Sequence, residues 1–209
     1  LKLVIATPSP FARKARVALL EKGVVFETVI DNPWNPGAQA PVYNPLGKIP
    51  VLLTPDDGAI FDSKVIVEYA EAKWPAPPLL PTDTMQRVAA RQVEAMADGV
   101  CDAVVLIVLE RARPEGLRSV DWVTRQQAKV DAGVADAEGR LGDRTWFVGD
   151  AFGVADIAVG CMLGYLDLRL PEFAWRAKAP GLSRCFEHLG MRESFRATLP
   201  SAQPIDAVR

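Results

Sequence analysis

Apolar residues lie in short runs over the first 80 positions and in long helical stripes thereafter. Residues 1–6 (LKLVIA) form a run short enough for a buried strand, and residues 24–30 (VVFETVI) form a second, rich in β-branched side chains. Between them Phe11, Ala15, Ala18, Leu19 and Lys22 recur at helical spacing, behind Ser9-Pro10 and ahead of Gly23. A serine before a proline opens a helix well, since the hydroxyl caps a free N–H and proline has none to lose at the first helical position. Glycine is a natural stop. Strand, helix and parallel strand predict a right-handed crossover. Prolines at 33, 36, 41 and 45 make residues 31–48 mostly irregular, and 50–61 (PVLLTPDDGAIF) read as a hairpin turning at Asp57-Gly58. Ser63 is the expected cap of a helix over 64–73, with Val65, Ile66, Tyr69 and Ala70 on its inner face.

Residues 74–81 (WPAPPLLP) cannot continue a helix and read as a semi-rigid connector. Beyond it, Met85, Ala89, Val93, Met96, Val100, Val104 and Ile107 trace one apolar stripe, interrupted at Gly99 and ending near Pro114. Further helices are predicted over 119–141, through Val123, Val130, Val134 and Leu141, then over 153–168 and 181–189. No strand is needed after residue 80. The expected organisation is an α/β domain over 1–75, a linker over 76–81 and an all-helical domain over 82–209.

Charge narrows the choice of partner. With 24 basic and 26 acidic side chains and a net charge of -2, the chain has no cationic field for nucleic acid or an anionic membrane. No run approaches the roughly 20 apolar residues of a membrane-spanning helix. The opening residues lack a signal-peptide pattern, so a soluble, cytoplasmic protein is expected. Cys101, Cys161 and Cys185 are odd in number, far apart and set among apolar neighbours, which predicts packing residues rather than disulfides. A single histidine, His188, and scattered cysteines give no metal-ligand spacing, and no GxSxG elbow accompanies His188. No metal is expected, and His188 reads as an ordinary helix position.

Four stretches then fall in one order across almost the whole chain: SPFARKARVALLEKG (9–23), NPLGKIPVLL (44–53), FDSKVIVEYAEAKW (61–74) and WFVGDAFGVADIAVG (146–160). Together they resemble the glutathione transferase family, in which a thioredoxin-like N-terminal domain precedes an all-helical C-terminal domain. The SPF…R start is most similar to serine-type members, as in the tau class, and to similar bacterial proteins. The resemblance implies a detoxifying enzyme and homodimer, with no prosthetic group and with glutathione as co-substrate. Such an enzyme holds the thiol as thiolate for attack on a small, largely apolar electrophile.

The resemblance also implies roles for individual residues. Ser9, which on its own residues is a helix cap, becomes the hydroxyl that donates to the glutathione sulfur. Phe11 joins the glutathione site. Ile49-Pro50 matches the position of a cis-proline turn, whose preceding residue pairs strand-like with the cysteinyl backbone of the tripeptide. Asp62-Ser63 faces the γ-glutamyl end, Ser63 offering a helix start to the carboxylate. Family members usually carry Glu or Gln where Asp62 stands, which leaves the ammonium contact open. Lys48 points to the glycine carboxylate. Arg13, Lys14 and Arg16 read as the solvated face of their helix. Asp156 is structural, the acidic half of a capping box whose hydroxyl half is replaced by Gly153. An electrophile pocket is expected between the halves, lined by Phe11, Trp34, Met96, Val100, Tyr165 and Trp175. Two alternatives stay open, a non-catalytic glutathione-binding scaffold or carrier and a glutathione-dependent isomerase or dehalogenase. Serine in place of cysteine at position 9 argues against thiol–disulfide exchange.

Overall fold

The short apolar runs pair into one four-stranded sheet in a computed structural model that describes residues 1–203. Its strands are β1 (Lys2–Ile5), β2 (Glu27–Ile30), β3 (Val51–Thr54) and β4 (Gly58–Ile60), in the order β2-β1-β3-β4. β1 runs parallel to β2 and antiparallel to β3, and β3 and β4 form the expected hairpin. Helices α1 (Pro10–Glu21) and α3 (Ser63–Lys73) share one core with the sheet. Leu3, Ile5 and Leu52 meet Ala12, Ala15 and Leu19 of α1 and Ile66 and Ala70 of α3.

The departures from expectation are local. β2 begins at Glu27, not at residue 24, because Gly23 at φ +66° turns the chain back over the end of α1. The amides of Gly23 and Val24 there donate to the carbonyls of Leu20 and Leu19. A short helix, α2 (Ala40–Tyr43), sits inside the stretch expected to be irregular. Its start is satisfied by the Asp31 carboxylate, which accepts from the amides of Gln39 (3.1 Å) and Ala40 (2.8 Å). On α3 the buried face is Ser63, Ile66, Val67 and Ala70, while Val65 is 49% exposed. That face keeps helical spacing from Ser63, a phase that leaves Val65 outside. The Tyr69 hydroxyl instead reaches the hairpin, donating to Asp57 over 2.7 Å.

The second part of the chain is helical: α4 (Thr84–Ala112), α5 (Val120–Leu141), α6 (Val154–Arg169), α7 (Trp175–Lys178) and α8 (Pro180–Gly190). No strand follows β4 among the described residues. Gly99 does not break α4, and Met85, expected on its apolar stripe, is exposed. Residues Val154 through Leu166 of α6 are all buried, so this helix is the centre of the unit. α5 approaches α4 closely at Gly133, where a Cβ would collide with Val100. Asp156, 1% exposed, accepts from the amides of Phe147 and Gly153, both at 2.9 Å. Burial pushes its pKa up to about 6, against the pull of those two donors and of Arg192.

The chain divides into two units, Leu80–Arg192 and a first unit of Leu1–Leu79 joined by the segment that starts at Glu193. The sequence places that segment in the helical domain. Instead α9 (Glu193–Arg196) and residues 197–203 return to α1, and 204–209, also assigned there by the sequence, lie outside the described residues. This return corrects the reading of α1's charged side chains as a solvated face. Arg13 is 3% and Lys14 1% exposed. Arg13 donates to Thr198 Oγ1 (3.4 Å) and the Phe195 carbonyl (3.2 Å), with its guanidinium 5.2 Å above the Phe195 ring. Arg16 donates to the Ala197 carbonyl. Lys22, counted in the apolar pattern, is buried as well. Its ammonium pairs with Glu71 at 2.6 Å and donates to the carbonyls of Trp74 and Pro77, which ties down the start of the connector.

Candidate functional site

Register brings three separated stretches to one end of the sheet. Val4 pairs with Val51 and Leu52 with Ile60. The chain leaving β1 toward Ser9, the chain entering β3 through Pro50 and the chain leaving β4 toward Asp62 therefore open on the same side. These are the places where the sequence puts Ser9, Ile49-Pro50 and Asp62-Ser63.

Ser9 is the N-cap of α1, with φ -69° and ψ 120°. Its amide donates to the Ala6 carbonyl at 3.1 Å and its Oγ accepts from the Ala12 amide at 3.2 Å. That cap bond uses an oxygen lone pair. The hydroxyl hydrogen is left for an acceptor outside the helix, so capping and donating are compatible tasks for one side chain. Phe11, two residues on, is half-buried.

The Ile49–Pro50 peptide bond is cis. Pro50 is buried, Ile49 half-buried and Lys48 exposed. Asn44, 2% exposed, sets this turn: its Nδ2 donates to the Lys48 carbonyl at 2.9 Å and its Oδ1 accepts from the Leu46 amide at 3.0 Å. Gly47 supplies the φ of +62° between them. Sequence reasoning passed over Asn44, although asparagine before Pro-x-Gly is a signal for such a turn.

At α3 the cap is Asp62, not Ser63. Asp62 Oδ1 accepts from the Lys64 amide at 3.0 Å, and Ser63 is the first helical residue, 3% exposed. Aspartate caps as well as serine, and the extended backbone at Asp62 decides which of the two neighbours does so. Ser63→Ala is accordingly expected to leave the helix start intact, whereas Asp62→Ala should cost about 1 kcal/mol of stability. Urea unfolding of the two variants checks this; equal losses would return the cap to Ser63.

Of the residues assigned to the electrophile pocket, Trp34 lies in the first unit and Met96, Val100, Tyr165 and Trp175 in the second. Trp34 is 38% exposed on the loop after β2, its amide donating to Asn32 Oδ1. Met96 and Val100 line a cavity of about 420 Å³ between α4 and α5, with Ala103, Leu106, Gln126 and Gly133. Tyr165 and Trp175 are not in that lining and are core residues of the second unit, 3% and 2% exposed. Burial pushes the Tyr165 hydroxyl up to about 12. Trp175 Nε1 donates to Asp167 at 2.7 Å, beneath the Arg176 guanidinium. Their aromatic spacing reflects packing around α6 and α8.

All three cysteines are buried, and none is in a disulfide. Burial and the nearby Asp156 push the Cys185 thiol up to about 12, which makes it inert. His188 lies on α8, edge-on to Trp146 at 5.0 Å. Among the described residues no three His, Cys, Asp or Glu side chains gather as a metal would require, and no helix is long and apolar enough to cross a membrane.

Comparison with known proteins completes the description. Residues 8–73 match the glutathione S-transferase N-terminal domain and residues 120–187 the glutathione S-transferase C-terminal domain. The GST-like protein YibF of Escherichia coli K12 is 40% identical over 96% of this chain and 98% of its own length. A glutathione S-transferase of Methylobacterium radiotolerans, solved in complex with glutathione sulfonate, superposes with a TM-score of 0.96 at 48% identity, covering 99% of this chain and 97% of that one. A second, from Methylobacillus flagellatus with GSH bound, gives 0.92 at 42% identity over 96% and 99%.

Proposed function

Because the chain belongs to the glutathione S-transferase family, we propose that it binds glutathione at the sheet end of its first unit and transfers it to a small, largely apolar electrophile. The observation that carries this reading is the Ser9 hydroxyl, whose cap bond leaves its hydrogen available at the start of α1. An unperturbed thiol has a pKa of about 8.5. Lowering it by about two units requires roughly 2.7 kcal/mol, within reach of one charge-assisted hydrogen bond and a helix N-terminus. In this reading the thiol proton leaves to solvent and Ser9 donates to the sulfur anion without itself being deprotonated. The thiolate then supplies the electron pair that bonds to the electrophilic carbon, and any leaving group departs with its own pair.

The remaining roles follow the local chemistry. The backbone of Ile49 pairs with the cysteinyl residue, and Lys48 offers its ammonium to the glycine carboxylate. The Ser63 hydroxyl and the N-terminus of α3 receive the γ-glutamyl carboxylate. Asp62 already accepts from the Lys64 amide through Oδ1, so an ammonium would take its second oxygen. The proposal extends to a reducing, cytoplasmic setting, which suits buried cysteines that form no disulfide, and to a detoxifying role, which is what conjugating small electrophiles would serve.

Ultraviolet titration of the thiolate band of bound glutathione tests the centre of the proposal. A midpoint about two units below that of free glutathione, with turnover of an aryl halide, is the expected result. Binding without a lowered midpoint would favour a carrier. The proposal extends to a homodimer, for which light scattering should give about twice the 22.7 kDa of one chain. A single-chain mass at micromolar concentration would refute it.

A further inference from the structure

The segment that starts at Glu193 crosses the loop that carries Ser9. Thr7, two residues before Ser9, is held by it three times. Its amide donates to Gln203 Oε1 at 3.1 Å, its hydroxyl donates to the Ser201 carbonyl at 3.1 Å, and its carbonyl accepts from the Ser201 amide at 3.4 Å. The other end of the Gln203 amide, Nε2, donates to the Asp31 carbonyl at 3.4 Å. Gln203 thus bridges the loop after β1 to the loop after β2, which bears Trp34. These strands are parallel neighbours, and their last shared rung is the 2.7 Å bond from the Asp31 amide to the Ile5 carbonyl. Beyond that rung, Gln203 makes a further link between the two loops.

We infer that Gln203 is a positioning residue for the Ser9 hydroxyl, fixing the loop before α1 by accepting from Thr7 and donating to Asp31 at once. The inference rests on the proposed role of Ser9. A neutral primary amide is the side-chain group that offers a strong acceptor and a strong donor on one rigid plane. The strap is anchored upstream along α1, by Ser194 donating to Glu21, by Ala197 and Phe195 accepting from Arg16 and Arg13, and by Thr198. Its approach to Thr7 is therefore ordered before Gln203 makes its contacts, which lowers the entropy of closing the bridge. A hydrogen bond to sulfur is directional, so a loosened loop reduces the donor's occupancy more than it reduces the binding of a whole tripeptide.

Gln203→Ala removes both ends of the bridge at a half-buried position, and Gln203→Glu keeps the acceptor for Thr7 but loses the donor. Hydrogen exchange at the Thr7 amide reads the bridge without reference to activity. The alanine variant should exchange there at least about tenfold faster, and the glutamate variant should recover most of the protection. With the alanine variant, calorimetric affinity for glutathione at pH 6, where the bound thiol is mostly protonated, should stay within about twofold, while the titration midpoint of the bound thiol rises by about half to one unit, a threefold to tenfold change. A lowered midpoint in the wild type that is unchanged in Gln203→Ala overturns the inference alone. No lowered midpoint even in the wild type overturns the proposed function, and the inference with it.

Discussion

Ser9→Asp is expected to give a folded protein that no longer holds the thiolate. Aspartate is a competent N-cap, and its carboxylate can take the place of Oγ, which accepts from the Ala12 amide at 3.2 Å. It has no hydrogen to donate to sulfur at neutral pH, and its negative charge raises the pKa of a neighbouring thiol. The conjugation rate at pH 7 should fall at least about tenfold, or roughly 1.4 kcal/mol, and up to about a hundredfold if the full two-unit shift is lost. Ser9→Ala separates the terms from the other side: it loses donor and cap together and should also lose about 1 kcal/mol of stability. Urea unfolding together with the thiolate titration of wild type and both variants tests this. One midpoint shared by all three would move the chemistry from the hydroxyl to the helix N-terminus.

The largest change in stability is expected at Asp156. Asp156→Ala strips acceptors from the amides of Phe147 and Gly153 in a site only 1% exposed, and should cost about 2 to 4 kcal/mol near pH 5. The penalty is smaller at pH 7. With its folded pKa at about 6, above the ordinary 3.8, the carboxyl binds its proton more tightly when folded. Its contribution is therefore fully present below pH 3.8 and is lost as pH rises through about 6. Over that window the loss amounts to about 3 kcal/mol. Unfolding curves of wild type and Asp156→Asn, compared from pH 4 to 7, should show the wild type losing stability relative to the variant as pH rises. A difference that stays constant would show that Asp156 titrates normally.

Every strand and every helix of eight residues or more was legible in the sequence, because each carries its own period and its own punctuation. Ser9-Pro10, Gly23 and Asp57-Gly58 mark ends through properties of single residues. What could not be read was decided by partners distant along the chain. α2 is capped by Asp31, which lies outside any local window on that helix. Arg13 looks like a solvent-facing charge, yet it is covered by a segment that begins at Glu193 and has too little apolar stripe of its own to announce where it docks. At the candidate site the glutathione-facing stretches were visible because they are contiguous motifs. Asp62 and Ser63 were confused because both are good caps and only the backbone between them chooses. Tyr165 and Trp175 are buried in the second unit, and an aromatic at helical spacing gives the same pattern whether it faces a cavity or fills a core.

The return of the chain to α1 also sets an order on synthesis. The second unit is one uninterrupted stretch, Leu80–Arg192, and all of its helices can pair as soon as they leave the ribosome. The first unit is made from both sides of it. α1 and the sheet emerge early, but Phe195, Ala197 and Thr198, which receive Arg13 and Arg16, follow only after the whole second unit has been translated. Until then these acceptors of the two guanidinium groups have yet to be made. Although domains generally mature in the order of their translation, here the unit that begins first is completed last.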